Sequence, residues 1–318
     1  MKFYLGVTDN NWYRYLSSIN PEDINFWQPG GTMNFKAISP GEPFLFKLKS
    51  PLNAIGGVGF FSSHTFLPTS LAWDIFKDRN GCASLAEFRK MILNYRNDKD
   101  NPNPKIGCIV LTNPIFFEQK DWIEVPANWS NSIVQGKSYG IEDTIGRAIW
   151  LKVSELLEKY MYLSSTQEEQ TPFMVHEPEF PTYGKSILRK VRIGQGAFRV
   201  NVTDAYTRKC SVTGEKTLPV LQAAHIKPYY EAGPNHTSNG LLLRSDIHKL
   251  FDDGYITVTK DYKVEVSRRI REEFENGKEY YQYHGKELMI LPQHEIDRPH
   301  LQYLDWHNTN EFEKWNQK

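Results

Sequence analysis

Residues 218–258 read LPVLQAAHIKPYYEAGPNHTSNGLLLRSDIHKLFDDGYITV, and this stretch decides the character of the second half of the chain. LPVLQAA is an apolar run of strand type, and IKPYYEAGPNHTS, with Pro228, Gly233 and Pro234, is a polar loop. NGLLLR predicts a second strand. SDIHKLFD predicts a helix with Ser245 as N-cap and Asp246 in its first turn, where a negative charge suits the helix dipole. Gly254 then ends that helix at the position after its cap. The order is strand, loop, strand, helix. His225 closes the first strand, Asn239 opens the second, and His248 lies within the helix. Asn239 follows His225 by 14 residues, His248 follows Asn239 by 9, and Asp252 follows His248 by 4.

These residues at these spacings resemble the HNH nuclease motif, a ββα-metal fold. Phosphodiester hydrolysis needs a nucleophilic water, a route for its proton, and positive charge against the phosphate and the departing 3′ oxygen. The resemblance implies that His225 is the general base; an unperturbed imidazole, with a pKa near 6.5, is largely neutral at cellular pH. Asn239 resembles the central Asn, whose amide ties down the long loop and so orients the base. The same resemblance implies that His248 completes the catalytic set and also serves as a metal ligand. Asp252, one helical turn further on, projects to the same side and is the second ligand expected. An imidazole and a carboxylate suit a divalent ion, Mg²⁺ or Mn²⁺, with Ni²⁺ also in range. Asp252 has a second reading, as part of an Asp-Asp-Gly turn. Asp253 reads as solvated turn chemistry and His236 as a solvent-facing loop residue. One position departs from the family pattern: Ala224 stands where many members carry another Asp or His ligand. The metal must then find a ligand elsewhere, keep more water, or lean on Asp252.

Upstream, residues 183–216 hold eight basic and two acidic side chains. Arg189, Lys190, Arg192 and Arg199 are the expected contacts to DNA phosphate, against the alternative of a solvated basic face. GQGAFR (194–199) and CSVTGE (210–215) resemble the lead-in of a bacterial HNH subfamily found in restriction-type proteins. Gly194-Gln195-Gly196 lacks the third glycine of a dinucleotide loop, which leaves a backbone cradle for phosphate or a plain turn. Cys210, with no second cysteine near it, reads as packing.

The whole chain has 318 residues, long enough for two domains. Lys plus Arg and Asp plus Glu both number 38, so an evenly basic, histone-like binder is excluded and any nucleic-acid surface must be local. Cys82, Cys108 and Cys210 form no CxxC, which excludes a disulfide framework and a four-ligand zinc site. No apolar run is long enough to span a membrane, and the N-terminus turns polar too early for a signal peptide, so a cytoplasmic location is expected. Residues 164–182, SSTQEEQTPFMVHEPEFPT, contain four Glu and three Pro without helix or strand periodicity. They predict a linker between a domain of residues 1–163 and a domain of residues 183–318.

The first domain reads as β-rich, from KFYLGVT, PFLFKLK, AIGGVGFF and KIGCIVLTNPIFF, with helices over about SLAEFRKMILNYR and IGRAIWLKVSELLEKYMYL. Gly56, Gly57 and Gly59 allow either close approach of a ligand or tight packing of a bent strand. With FYLGVTDNNWYRYL, NFWQPGG and PGEPFLFKLK, residues 1–160 resemble a PUA-like domain of the EVE, ASCH and SRA kind. The fold class expected is α+β: an N-terminal PUA-like mixed β-barrel and a C-terminal ββα-metal HNH domain. The resemblance implies recognition of a modified base flipped from the duplex. Such a base must stack on aromatic faces and satisfy its Watson–Crick edge. Trp12, Asn25, Trp27 and Phe35, in stretches read as turn-rich, are the pocket residues expected, with Asp9 a nearby polar candidate. Trp73, Trp122 and Trp129 are weaker candidates of the same kind. The combined expectation is a metal-dependent endonuclease of bacterial defence that acts on double-stranded DNA carrying 5-methyl- or 5-hydroxymethylcytosine. Since one HNH site cuts one strand, double-strand cleavage needs a homodimer or two successive events. The rival reading is a non-catalytic reader of modified DNA or RNA with a vestigial HNH domain, which Ala224 keeps open.

Overall fold

The computed structural model describes residues 1–98, 100–130, 132–165, 194–228 and 231–313, with the backbone alone at 161–165. The chain divides into two compact units, Met1–Ala197 and Phe198–Lys318, both mixing helix and strand in an α+β architecture. Beyond Ser165 the expected linker lies outside the described residues; Ser164 and Ser165 belong to the preceding helix.

In the first unit the elements run β1 (Lys2–Thr8), α1 (Asn10–Ile19), β2 (Asp23–Gln28), β3 (Pro43–Leu48) and β4 (Ala54–Pro68). They continue with α2 (Thr69–Phe76), α3 (Leu85–Asn94), β5 (Lys105–Phe116), β6 (Ile123–Glu124), β7 (Gly136–Gly140) and α4 (Thr144–Ser165). Seven strands form one sheet in the order β2-β5-β4-β3-β1-β7, with β6 on β4. β1 and β3 pair in parallel and the remaining pairs are antiparallel. Helices cover both faces, which is why all six residues of β3 are buried. Strand alternation sends Phe44, Phe46 and Leu48 toward Trp12, Tyr13 and Leu16 of α1, and Leu45 toward Ile149, Val153 and Leu157 of α4.

Two elements differ from the sequence reading. The stretches holding Trp12 and Trp27 are not turn-rich: they are α1 and β2. Asp9 starts the helix by accepting hydrogen bonds from the amides of Asn11 and Trp12, and Asn20 ends it in the left-handed conformation. The β4 glycines serve packing. Gly56 sits under the ring of Tyr13, whose Oη donates to the Gly56 carbonyl at 2.7 Å, and Gly59 lies against Leu111 and Phe46.

GQGAFR is not a turn either. It begins α5 (Gln195–Ala205), and the Ala197 amide donates to the buried Asp23 carboxylate at 2.9 Å. A carboxylate of the chain itself, paired with Arg79, thus takes the place expected for a phosphate.

The second unit continues with β8 (Leu221–His225), β9 (Gly240–Arg244) and α6 (Ser245–Asp252). A second hairpin, β10 (Ile256–Val258) and β11 (Val264–Val266), is followed by α7 (Arg269–Phe274), α8 (Lys278–Tyr281) and α9 (Leu301–Asn310). β8 and β9 pair antiparallel from Leu221↔Arg244 to His225↔Gly240. The expected N-cap at Ser245 is displaced by one residue. Ser245 is already helical, Arg244 holds the cap position without a side-chain cap bond, and its guanidinium grips Asp246 through two bonds of 2.7 and 2.8 Å. At the other end Gly254, at φ +78°, lets its amide reach the Phe251 carbonyl and that of Tyr255 reach Leu250, the pair of bonds of a Schellman motif. His307 of α9 pins this helix from behind: its ring stacks on Phe251 at 3.7 Å and bonds the Thr257 hydroxyl at 2.8 Å. Among the described residues no helix is long and apolar enough to cross a membrane.

Candidate active site

The hairpin and α6 bring His225, Asn239 and His248 to one end of the second unit. His225 is the last residue of β8, opposite Gly240. A side chain at 240 would collide with Phe198 and Val202 of α5, so glycine there admits the Phe198 ring. That ring stacks on the His225 imidazole with centroids 3.9 Å apart and planes 10° from parallel. On the ring edge, Nε2 of His225 lies 2.8 Å from Oδ1 of Asn235.

Asn239 is fully buried and fully used. Its Oδ1 accepts from the Lys227 amide, and its Nδ2 donates to the carbonyls of Lys227 and Pro234, each at 2.9 Å. The side chain therefore ties Lys227 and Pro234 of the 226–238 loop to the start of β9. His236, exposed as expected, caps the short turn Thr237–Asn239 by accepting from the Ser238 amide, and so helps to set Asn239.

His248 points to the same end from α6. Its Nδ1 meets Oε1 of Gln222 at 2.7 Å, and its Nε2 faces Oδ2 of Asp252 at 3.2 Å. Burial pulls the His248 pKa below its ordinary value, with Arg199 acting in the same direction against Asp252. Burial pushes the Asp252 carboxyl up, against the pull of His248. A neutral His248 that donates from Nδ1 to Gln222 presents its Nε2 lone pair to a carboxylate oxygen. Two electron-pair donors facing each other at that distance suit a cation between them, and one imidazole with one carboxylate suits a divalent ion that keeps most of its water. Among the described residues no group of three or more His, Cys, Asp or Glu side chains could hold a metal. Ala224 is completely buried and offers no third donor.

His225 is held below the ordinary imidazole pKa by burial, with Asn235 opposing and His248 adding to the shift. It is thus neutral at pH 7, the state a general base requires. Arg199 stands on α5 near enough to depress His248. Arg189, Lys190 and Arg192 lie outside the described residues. Sequence reasoning passed over Phe198, Gln222 and Asn235. None belongs to the spaced motif, and only pairing β8 with β9 and packing α5 across them brings these side chains to the histidines. Cys210 is buried, and its sulfur accepts from the Arg244 amide at 3.3 Å.

The first unit contains a cavity of about 310 Å³. Trp12, Phe26, Trp27 and Tyr95 supply aromatic walls; Asp9, Gln28 and Lys49 supply polar groups. Trp27 is fixed by an indole bond to the Asn80 carbonyl at 3.1 Å and by edge contact with Phe88. Trp12 is only 3% exposed and packs edge-on to Phe26 and Phe46, so it forms the floor. Lys49 Nζ donates to Tyr95 Oη at 3.0 Å and lies 3.4 Å from Asp9 Oδ2. Burial opposes the Lys49 charge, but Tyr95 and Asp9 outweigh it and hold the pKa above its ordinary value. Two expected pocket residues are elsewhere. Asn25 is buried in the sheet, donating to Asn80 Oδ1 at 2.8 Å. Phe35 packs edge-on against Tyr4 and Phe61, where apolar surroundings claim it for the core.

A strand–loop–strand–helix unit that brings together a half-buried histidine, a loop-stapling asparagine and a helix-borne histidine has the layout of a ββα-metal unit. Residues 210–259 match the family model of HNH endonucleases, which spans the hairpin, both histidines and α6. HNH nucleases generally use a divalent metal ion. No curated protein matches the chain. Similar solved structures include an ASCH protein from Zymomonas mobilis, at 11% identity and a TM-score of 0.32, covering 45% of this chain and 93% of that one. Another is described as the modification-dependent TagI restriction endonuclease, at 15% identity and a TM-score of 0.28, covering 91% of this chain and 75% of that one.

Proposed function

We propose that this chain is a modification-dependent DNA endonuclease of restriction type. Its second unit hydrolyses phosphodiester bonds, and its first unit selects duplexes carrying 5-methyl- or 5-hydroxymethylcytosine. The observation behind the reading is the convergence of His225, Asn239 and His248 within the segment that matches HNH endonucleases. His225, neutral at pH 7, takes a proton from the attacking water. Asn239 holds the loop that frames it. His248 and Asp252 would hold a divalent ion, Mg²⁺ or Mn²⁺ with Ni²⁺ also suitable, and that ion supplies positive charge to the phosphate and the leaving 3′ oxygen. Arg199 adds fixed positive charge beside the phosphate, and Arg189, Lys190 and Arg192 extend that role along the backbone.

For selectivity, the first unit's cavity is roomy enough for a single base. Trp27 and Tyr95 offer stacking faces, and Asp9 and Lys49 offer an acceptor and a donor to a Watson–Crick edge. Ala224 and the two-donor metal set favour the rival reading, a non-catalytic reader of modified DNA or RNA. Cleavage separates the two. Wild-type protein with Mg²⁺ or Mn²⁺ is expected to cut modified duplex. His225→Ala should lose roughly 10²- to 10⁴-fold in rate with duplex binding retained. Binding without metal-dependent cutting by wild type would establish the reader instead.

A further inference from the structure

We propose that Asn235 is a positioning residue that fixes the tautomer of His225 and leaves Nδ1 as the nitrogen that takes the proton. The inference rests on the reading of His225 as the general base and adds which nitrogen acts and what selects it. A neutral imidazole carries its proton on one nitrogen and its lone pair on the other, and the partner of one nitrogen decides the chemistry of the other. Nε2 of His225 lies 2.8 Å from the amide oxygen of Asn235, an atom with no proton to give. Nε2 must therefore carry the hydrogen, and the lone pair resides on Nδ1.

Three features hold this arrangement. The Phe198 ring, 3.9 Å away and nearly parallel, fixes the plane in which the imidazole lies. Asn235 itself stands between two tethered neighbours: the Pro234 carbonyl accepts from Asn239 Nδ2 at 2.9 Å, and His236 caps the following turn. Asn235 also favours protonation of the ring, against burial and His248. The same bond serves the neutral ring and the imidazolium, so the imidazole need not rotate when it accepts a proton. In the step, the O–H bond of water breaks and Nδ1–H forms while the water oxygen bonds to phosphorus. The bond from phosphorus to the 3′ oxygen breaks, and that oxygen takes its proton from solvent water.

The test uses the full chain labelled with ¹⁵N-histidine, in which nitrogen NMR distinguishes the two neutral tautomers without metal or substrate. Wild type at pH 7.5 is expected to show His225 protonated on Nε2. Asn235→Ala should give a mixture of tautomers, and Asn235→Asp, which keeps the acceptor, should restore the single form. In cleavage assays Asn235→Ala should lower kcat by roughly 10- to 100-fold with little change in KM. The acid limb of its pH profile should move to lower pH, because a bond that favoured the protonated ring is gone; in Asn235→Asp that limb should move up. A wild-type ring protonated on Nδ1 would overturn the proposal. So would an Asn235→Ala protein with the wild-type tautomer and rate. If instead His225→Ala cuts normally, the base assignment fails, and the NMR result still states whether Asn235 sets the tautomer.

Discussion

Replacing Asn239 with alanine removes three hydrogen bonds at once: one accepted from the Lys227 amide and two donated to the carbonyls of Lys227 and Pro234. Each neutral bond contributes about 1 kcal/mol net, and Lys227 and Pro234 lie near enough to the surface for water to replace part of the loss. The expected destabilisation is therefore about 2–3 kcal/mol, which for a unit of this size lowers its melting temperature by roughly 10 °C. The damage should also be local. Freed from β9, the loop stops holding Asn235 against His225, so cleavage should fall at temperatures where the unit remains folded. Thermal melts of the full chain give the first quantity. Hydrogen exchange gives the second, with faster exchange expected at residues 226–240 and little change in the first unit. If the variant melts within about 1 °C of wild type and the loop exchanges no faster, Asn239 is not the staple described.

Further expectations concern the metal, the base and the cavity. His248→Ala should raise the metal concentration needed for half-maximal cutting far more than Asp252→Ala, whose carboxylate is half exposed; an unchanged titration for His248→Ala would remove it from the site. Because burial depresses the His225 pKa, cleavage at saturating metal should rise with pH through a value below 6.5 and be level at pH 7. By the same sign, the stability that a neutral, half-buried His225 contributes is complete above about pH 6.5 and is lost as pH falls through the lower folded value. A cleavage rate still climbing from pH 7 to 8 would contradict the lowered pKa. Trp27→Ala should weaken binding to modified duplex about 5- to 150-fold while leaving weak, salt-sensitive binding to any duplex. A preserved preference would move the pocket away from this cavity.

The hairpin and its helix were legible because their signals are local: alternating or apolar strands, a Pro- and Gly-rich loop, and two side chains one helical turn apart. The Asp-Asp-Gly end of α6 was legible for the same reason, since Gly254 alone provides the left-handed residue the motif needs. Its other end was misplaced by one residue because Arg244, not Ser245, stands at the cap and engages Asp246 with its side chain. The aromatic helix α1 was missed because NNWYRYLSSI begins with two asparagines and gains its stability from tertiary contacts of Trp12, Tyr13 and Leu16. Pocket residues were the least legible. Asn25 and Trp27 lie two residues apart on one face of β2 and both bond to Asn80 of the short turn Lys77–Asn80, yet Asn25 is completely buried there while Trp27, nearer the strand's end, reaches the cavity. What packs over that face, a turn about 55 residues further along the chain, separates them, and sequence does not display it. Lys49 and Tyr95 were missed because the residues just past β3 and just past α3 meet Asp9 only after folding.

The most direct measurement is cleavage by purified full-length protein of three duplexes identical except for cytosine, 5-methylcytosine or 5-hydroxymethylcytosine. Each is assayed with Mg²⁺, with Mn²⁺ and with chelator. The expected result is metal-dependent cutting of at least one modified duplex, with the unmodified duplex spared and no product in chelator. Equal cutting of all three duplexes, or cutting that survives the chelator, would contradict the assignment of a metal-dependent nuclease governed by a modified base.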